Sequence, residues 1–273
     1  MRNSLLTALA ITLLTLSVAS PVVAGSGNAA AAGDLRTLIG KIQPKIQGKE
    51  KVTEADLAAE LKEFDALLEK YKGDKSDDVA QILVMKFSLY SSVLGDEKKG
   101  AEVMEQLQRD FPDSEATIRV KRQVEAKKRR DALVVGSKFP DFEEKDLAGK
   151  PLSIAGVKGK VVLIDFWATW CTPCVLELPN VLEAYEKYHG SGFEIIGISL
   201  DKDRQQLEKF IKQKNMTWPQ FFDGKVWENK LSQQYGINSI PATYLLDGEG
   251  KIIASNLEGK ALEAAVEQAL SKK

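Results

Sequence analysis

The sequence predicts a mixed α/β domain behind an all-α N-terminal segment, on three observations. Beyond residue 160, short apolar runs alternate with stretches of helical periodicity, the pattern of a sheet flanked by helices. The run Val161–Trp167, VVLIDFW, is almost continuously apolar, as in a parallel strand buried on both faces. Before residue 133, by contrast, apolar residues recur at spacings of three and four.

The chain has 273 residues and a net charge of −1. That is enough for one or two domains with a core, and the balanced charge argues against a nucleic-acid or anionic-membrane partner. Residues 1–24 read as a secretory signal, with Arg2 as the basic start, an apolar run over 5–18 and Val22-Val23-Ala24 as the cleavage site. The run is short for a membrane span of ~20 residues and is diluted by Thr7, Thr12, Thr15 and Ser17, which favours cleavage over an uncleaved anchor. Export places the chain in a periplasm or its equivalent, where disulfides form and are managed.

Residues 25–33 are small and polar and predict a linker. Residues 34–132 predict a helical domain. Thr53 opens a helix carrying Leu57, Leu61, Phe64, Leu68 and Tyr71, and residues 78–94 form a second with Val79, Ile82, Leu83, Phe87, Tyr90 and Leu94. After a turn at Gly95-Asp96, residues 101–111 form a third helix and 114–130 a fourth. Residues 100–114 partly resemble a tetratricopeptide-type hairpin, without the clean period a repeat array needs. Two readings of this domain stay open: a cap packed on its neighbour, or a module that docks another protein. Lys121, Arg122 and the run Lys127-Lys128-Arg129-Arg130 predict solvated last helical turns rather than a nucleic-acid patch.

Residues 135–273 predict the α/β domain. Two strand pieces joined by a turn precede the apolar strand; residues 193–200 form a second buried strand and 204–213 a helix. Residues 218–222 give a further strand, 226–235 a helix, 242–246 and 251–254 two strands across an Asp247-Gly248 turn, and 260–270 a closing helix.

The chemistry is concentrated where Val161–Trp167 ends and a helix begins, at Trp170-Cys171-Thr172-Pro173-Cys174. Thr172 is the expected N-cap and Pro173 falls in the first turn, where its missing N–H costs nothing. A free thiol has a pKa near ~8.5, and a helix N-terminus lowers it to roughly 3.5–7.5, giving the thiolate that disulfide exchange requires. Cys171, ahead of the helix and expected to be the more exposed, is the candidate attacking thiol; Cys174, one turn in, is the resolving one. A zinc site is a poor alternative, since two Cys and His189 alone do not make four ligands. Asp165 lies within the apolar strand, where a buried carboxyl tends to hold its proton and can exchange it with Cys174. Glu177 follows Cys174 by three residues on the same helix face. It reads either as a tuner of the cysteine pair or as an ordinary acid favoured in a first turn.

Asp165-Phe166-Trp167-Ala168, Trp170-Cys171-Thr172-Pro173-Cys174, Glu177-x-Pro179 and Ile240-Pro241-Ala242-Thr243 together resemble the thioredoxin superfamily. The resemblance is to its TlpA/ResA-like periplasmic thiol–disulfide oxidoreductases, relatives of the redoxin (AhpC/TSA) group. It implies a thioredoxin-like fold with the branch's insertion near residues 201–223 and a redox disulfide between Cys171 and Cys174. It also implies a cis Pro241 facing that disulfide, with the Ile240 backbone bonding an extended substrate. Trp170, Thr172, Pro173, Ile240 and Pro241 are then the substrate-contacting candidates, and Cys171, Cys174, Glu177 and Asp165 the catalytic ones. No metal or cofactor is expected. The implied partners are protein disulfides, including the C-x-x-C-H segment of apocytochrome c, and a thiol electron donor in the membrane or periplasm. Thr-Pro between the cysteines, without the histidine of oxidising relatives, implies a reductant. Two other functions compete. A thiol peroxidase would carry Thr where Ala168 stands, three residues before Cys171. A non-enzymatic docking protein would act through the helical domain.

Overall fold

The computed structural model describes residues 27–157 and 159–271, so the predicted signal lies outside the described residues. The chain divides into two compact units, Met1–Gln123 and Val124–Lys273. No helix among the described residues is long and apolar enough to cross a membrane.

The first unit is helical: α1 (Ala29–Ile46), α2 (Ala58–Lys70), α3 (Asp77–Ser88), α4 (Glu97–Asp110) and the start of α5 (Glu115–Asp131). The predicted linker over 25–33 is overturned from Ala29 onward. Asn28 Oδ1 accepts the Ala31 N–H at 3.0 Å, and the alanines that follow are the strongest helix formers, so the helix starts there. Leu35, Leu38, Ile39 and Ile42 form its buried stripe, matched by Phe64 on α2 and Ile82 and Leu83 on α3. The predicted 78–94 helix ends earlier as α-helix, because Leu89–Leu94 widens into a π turn that Gly95 closes at φ 67°.

In the second unit, β3 (Val161–Trp167), β4 (Phe193–Ser199), β5 (Gln220–Phe222), β6 (Ala242–Asp247) and β7 (Ile252–Ser255) form one sheet in the order β5-β4-β3-β6-β7; the short pair β1 (Glu144–Lys145) and β2 (Pro151–Leu152) stands apart from it. β3 pairs in parallel with β4 and antiparallel with β6, and all seven of its residues are buried, as its composition predicts. Helices α6 (Thr172–Tyr188), α7 (Arg204–Gln213), α8 (Lys230–Tyr235) and α9 (Lys260–Ser271) complete the layers. β3 alternates in the expected way. Phe166 packs edge-on to Tyr235 and Tyr244, with ring centroids at 6.1 and 6.5 Å, while Asp165 and Trp167 turn to the other face. The predicted 226–235 helix is instead a 3-10 turn, Val226–Glu228, and then α8, because Asn229 takes an extended ψ of 130° and caps Leu231 and Ser232.

The boundary between the units falls inside α5, ahead of residues 132–135 where composition suggests it. The last turns of α5 pack on the α8–β6 connection: Arg130 donates to the Gly236 carbonyl at 2.9 Å. Arg130 is therefore half-buried, unlike Lys127, Lys128 and Arg129. A Cβ on Gly236 would lie 2.0 Å from the Ala126 carbonyl oxygen, and Gly236 also sits at φ 70°. Gly236→Ala should therefore cost on the order of 2–4 kcal/mol from left-handed strain plus overpacking. Gly149→Ala, with similar φ but open space around it, should cost only about 1 kcal/mol. Denaturant midpoints of the two variants check this contrast.

Candidate active site

The site is built where β3 hands the chain to α6. Cys171 and Cys174 are joined, with an S–S distance of 2.02 Å and Cα atoms 5.3 Å apart. Cys171, not Thr172, is the N-cap of α6: its Sγ accepts the Cys174 N–H at 3.2 Å, and Thr172 and Pro173 occupy the first turn. The N-cap position demands a side-chain acceptor on an extended backbone, and the sulfur fills that role. Once reduced, the same sulfur faces the positive end of the helix, which favours its thiolate. The expectation that Cys171 is the more exposed of the two fails. Their exposures are 5% and 7%, so both sulfurs are buried while Thr172 and Pro173 between them are exposed.

Beneath the disulfide lies a cavity of ≈ 30 Å³ lined by Asp165, Trp167, Cys174, Glu177, Pro241 and Thr243, among others. A cavity needs about 10–15 Å³ of such space to hold a water, so this one has room for a water. Asp165 and Thr243 are cross-strand partners on β3 and β6, and the Thr243 hydroxyl is buried without a partner. Burial, reinforced by the nearby Glu177 charge, pushes the Asp165 carboxyl up to about 7. Glu177 accepts the Gly259 N–H at 2.6 Å and the Asn180 amide at 3.0 Å, so its carboxylate anchors the loop before α9 while lining the cavity. The Ile240–Pro241 bond is cis. No hydrogen bond among the described residues uses the Ile240 backbone N–H or carbonyl. His189 is remote from this chemistry, at the end of α6 with Glu194 3.2 Å away.

Residues that the sequence does not single out hold the site together at the carboxyl ends of the parallel strands. The buried Asp201, just after β4, accepts the Thr169 N–H at 3.1 Å, the Thr169 hydroxyl at 2.5 Å and the Ser199 hydroxyl at 2.8 Å. The Trp170 indole donates to the Leu200 carbonyl at 3.3 Å. The Trp167 indole donates to Gln220 Oε1 at 2.9 Å, and a Cβ on Gly197 would lie 2.0 Å from that oxygen, so glycine there makes room for Gln220. Gln220 carries a weak signal, a polar residue within the apolar stretch 218–222; Asp201 carries none, because an acid after a strand is an ordinary loop residue.

Residues 135–255 match the AhpC/TSA family. Among curated proteins, the chain is 32% identical over 144 residues to thiol-disulfide oxidoreductase ResA of Bacillus thuringiensis subsp. konkukian, covering 53% of this chain and 81% of that protein. It is 34% identical over 123 residues to ResA of Geobacillus thermodenitrificans, covering 45% of this chain and 69% of that one. Among solved structures, the thioredoxin domain of a thiol-disulfide oxidoreductase from Bacteroides vulgatus is 34% identical, with a TM-score of 0.47 covering 51% of this chain and 99% of that one.

The raised Asp165 carboxyl makes a pH prediction for the disulfide form. Its penalty on the folded state is absent below the unfolded carboxyl pKa near ~3.9 and grows as pH rises toward 7. Asp165→Asn should therefore be more stable than the parent at pH 8, by on the order of 4 kcal/mol, with the gap closing near pH 4. Urea unfolding of both proteins at the two pH values measures it.

Proposed function

This chain belongs to the ResA-like thiol–disulfide oxidoreductases of the thioredoxin superfamily, and from that premise we propose that it reduces protein disulfides by Cys171 attack and Cys174 resolution. The observation that carries the reading is a disulfide at a helix N-terminus with a proton-holding carboxyl in the cavity beneath its second sulfur. The Cys171 thiolate attacks one sulfur of the substrate disulfide. The substrate S–S bond breaks, a mixed disulfide forms and one substrate thiolate leaves. With a pKa near neutrality Asp165 is also partly ionised, and in that form it takes the Cys174 proton across the cavity, so that the Cys174 thiolate attacks the Cys171 sulfur. The second substrate thiolate departs, two electrons have passed to the substrate, and the Cys171–Cys174 disulfide remains for a thiol donor to reduce.

Cis Pro241 and the unengaged Ile240 backbone support capture of an extended substrate segment by a short strand addition. Thr172 and Pro173, both exposed, and the half-exposed Trp170 flank the cysteines along the chain and are the other proposed substrate contacts. Glu177 supports the high Asp165 pKa through its charge. We place the protein in the periplasm on the strength of its first 24 residues, with the C-x-x-C-H site of an apocytochrome c as one substrate and a periplasmic or membrane thiol carrier as donor. Ala168 at the position of the peroxidase threonine speaks against peroxide chemistry.

In an insulin-reduction assay with dithiothreitol as donor, Cys171→Ser should lower the rate by more than ~100-fold, because no thiolate is left to attack. Cys174→Ser should instead accumulate a covalent mixed disulfide through Cys171. A couple near roughly −270 mV supports the reductant reading, and one near −120 mV overturns it.

A further inference from the structure

Trp227 has no part in the chemistry described above, yet its placement is built. It sits in the 3-10 turn Val226–Glu228 between β5 and α8, and is 38% exposed. Its ring meets that of Trp170 edge to face, with centroids 6.0 Å apart and planes at 63°. Trp170 is itself 48% exposed and adjoins Cys171. The turn is pinned on both sides. Asp223 accepts the Lys225 N–H at 3.0 Å, the Lys230 N–H at 2.8 Å and the Asn229 amide at 3.2 Å. The Trp227 carbonyl accepts the Gln233 amide at 2.7 Å, and Asn229 also donates to the Ser199 carbonyl at the end of β4. Val226, β-branched, is held at φ 51°, a left-handed conformation such residues rarely adopt.

These contacts present two rigid indoles side by side at the carboxyl edge of the sheet, next to the disulfide. Large aromatics held in the open gain most when a partner covers them, and immobilised ones lose little entropy on binding. In the first turns of α6, just after Cys171, Thr172, Pro173 and Leu176 are exposed and uncharged, Leu176 to 73%. We infer that Trp227 is a substrate-positioning residue, forming with Trp170 an aromatic wall that receives a bulky apolar side chain beside the cysteine of an extended protein substrate. The inference rests on the reading of the chain as a reductant of protein disulfides and names the substrate feature that reading leaves open. A small-molecule disulfide attacked by Cys171 has no flanking side chain to lay against Trp227.

The test compares two peptides, each holding one intramolecular disulfide, with either Leu or Ser next to the attacked cysteine. For the parent protein, kcat/KM should favour the Leu peptide, and in Trp227→Ala that preference should fall about tenfold, carried by KM rather than kcat. Trp227→Phe should restore most of it, which a merely destabilised turn would not predict. A parent preference unchanged in Trp227→Ala, or a loss carried wholly by kcat, overturns the inference. A parent protein that reduces neither peptide overturns the reading beneath it instead.

Discussion

An α-helix must satisfy amide groups that have no carbonyl partner in its own first turn. In α6 the cap acceptor is the sulfur of Cys171. That one requirement fixes much of the second unit. The capping residue has to be extended, so β3 must release the chain at Trp167, and the residues between need their own partners. Asp201 supplies them, holding Thr169 by both backbone and hydroxyl, while the Leu200 carbonyl takes the Trp170 indole. The loops after β3, β4 and β5 are thereby stitched into one surface at the carboxyl edge of the sheet, the edge at which open α/β sheets gather their ligand-binding groups.

Under this surface the sheet carries a group that its surroundings oppose. Asp165 is the one charged residue of an otherwise apolar strand, and its neighbours across the strands, Gly197 and Thr243, offer it no cation. The result is a carboxyl that holds a proton near neutrality with room for water between it and Cys174. Glu177 adds to that effect and, through Gly259, also ties down the loop leading to α9. The same acid thus acts on the electrostatics and on the architecture, so the two alternatives posed by its position in the sequence are not exclusive.

The parts of this design visible in the sequence are those governed by local rules. An apolar run announces β3, the spacing of Cys171 and Cys174 announces a redox pair, and the resemblance announces their disulfide and the cis Ile240–Pro241 bond. Contacts between distant segments leave little trace. Gln220 reaches Trp167, Asp201 reaches Thr169 and Trp227 meets Trp170 only because the fold brings three connections together. Cap identity follows the same principle. Thr172 is the better N-cap by residue type, but the backbone turns one residue earlier, and geometry outweighs propensity. The alanine-rich start of α1 shows the reverse, small residues that pass for a spacer until an asparagine before them caps a helix.

The last turns of α5 set a practical limit on dissecting this protein. The second unit begins at Val124, whereas the AhpC/TSA match begins at residue 135. Cutting at the latter would remove Ala126 and Arg130, stripping the cover from Gly236 and leaving its carbonyl without the guanidinium it now holds. An expression fragment that respects the molecule's own seams retains that short helical collar, which the extent of the family match alone would discard.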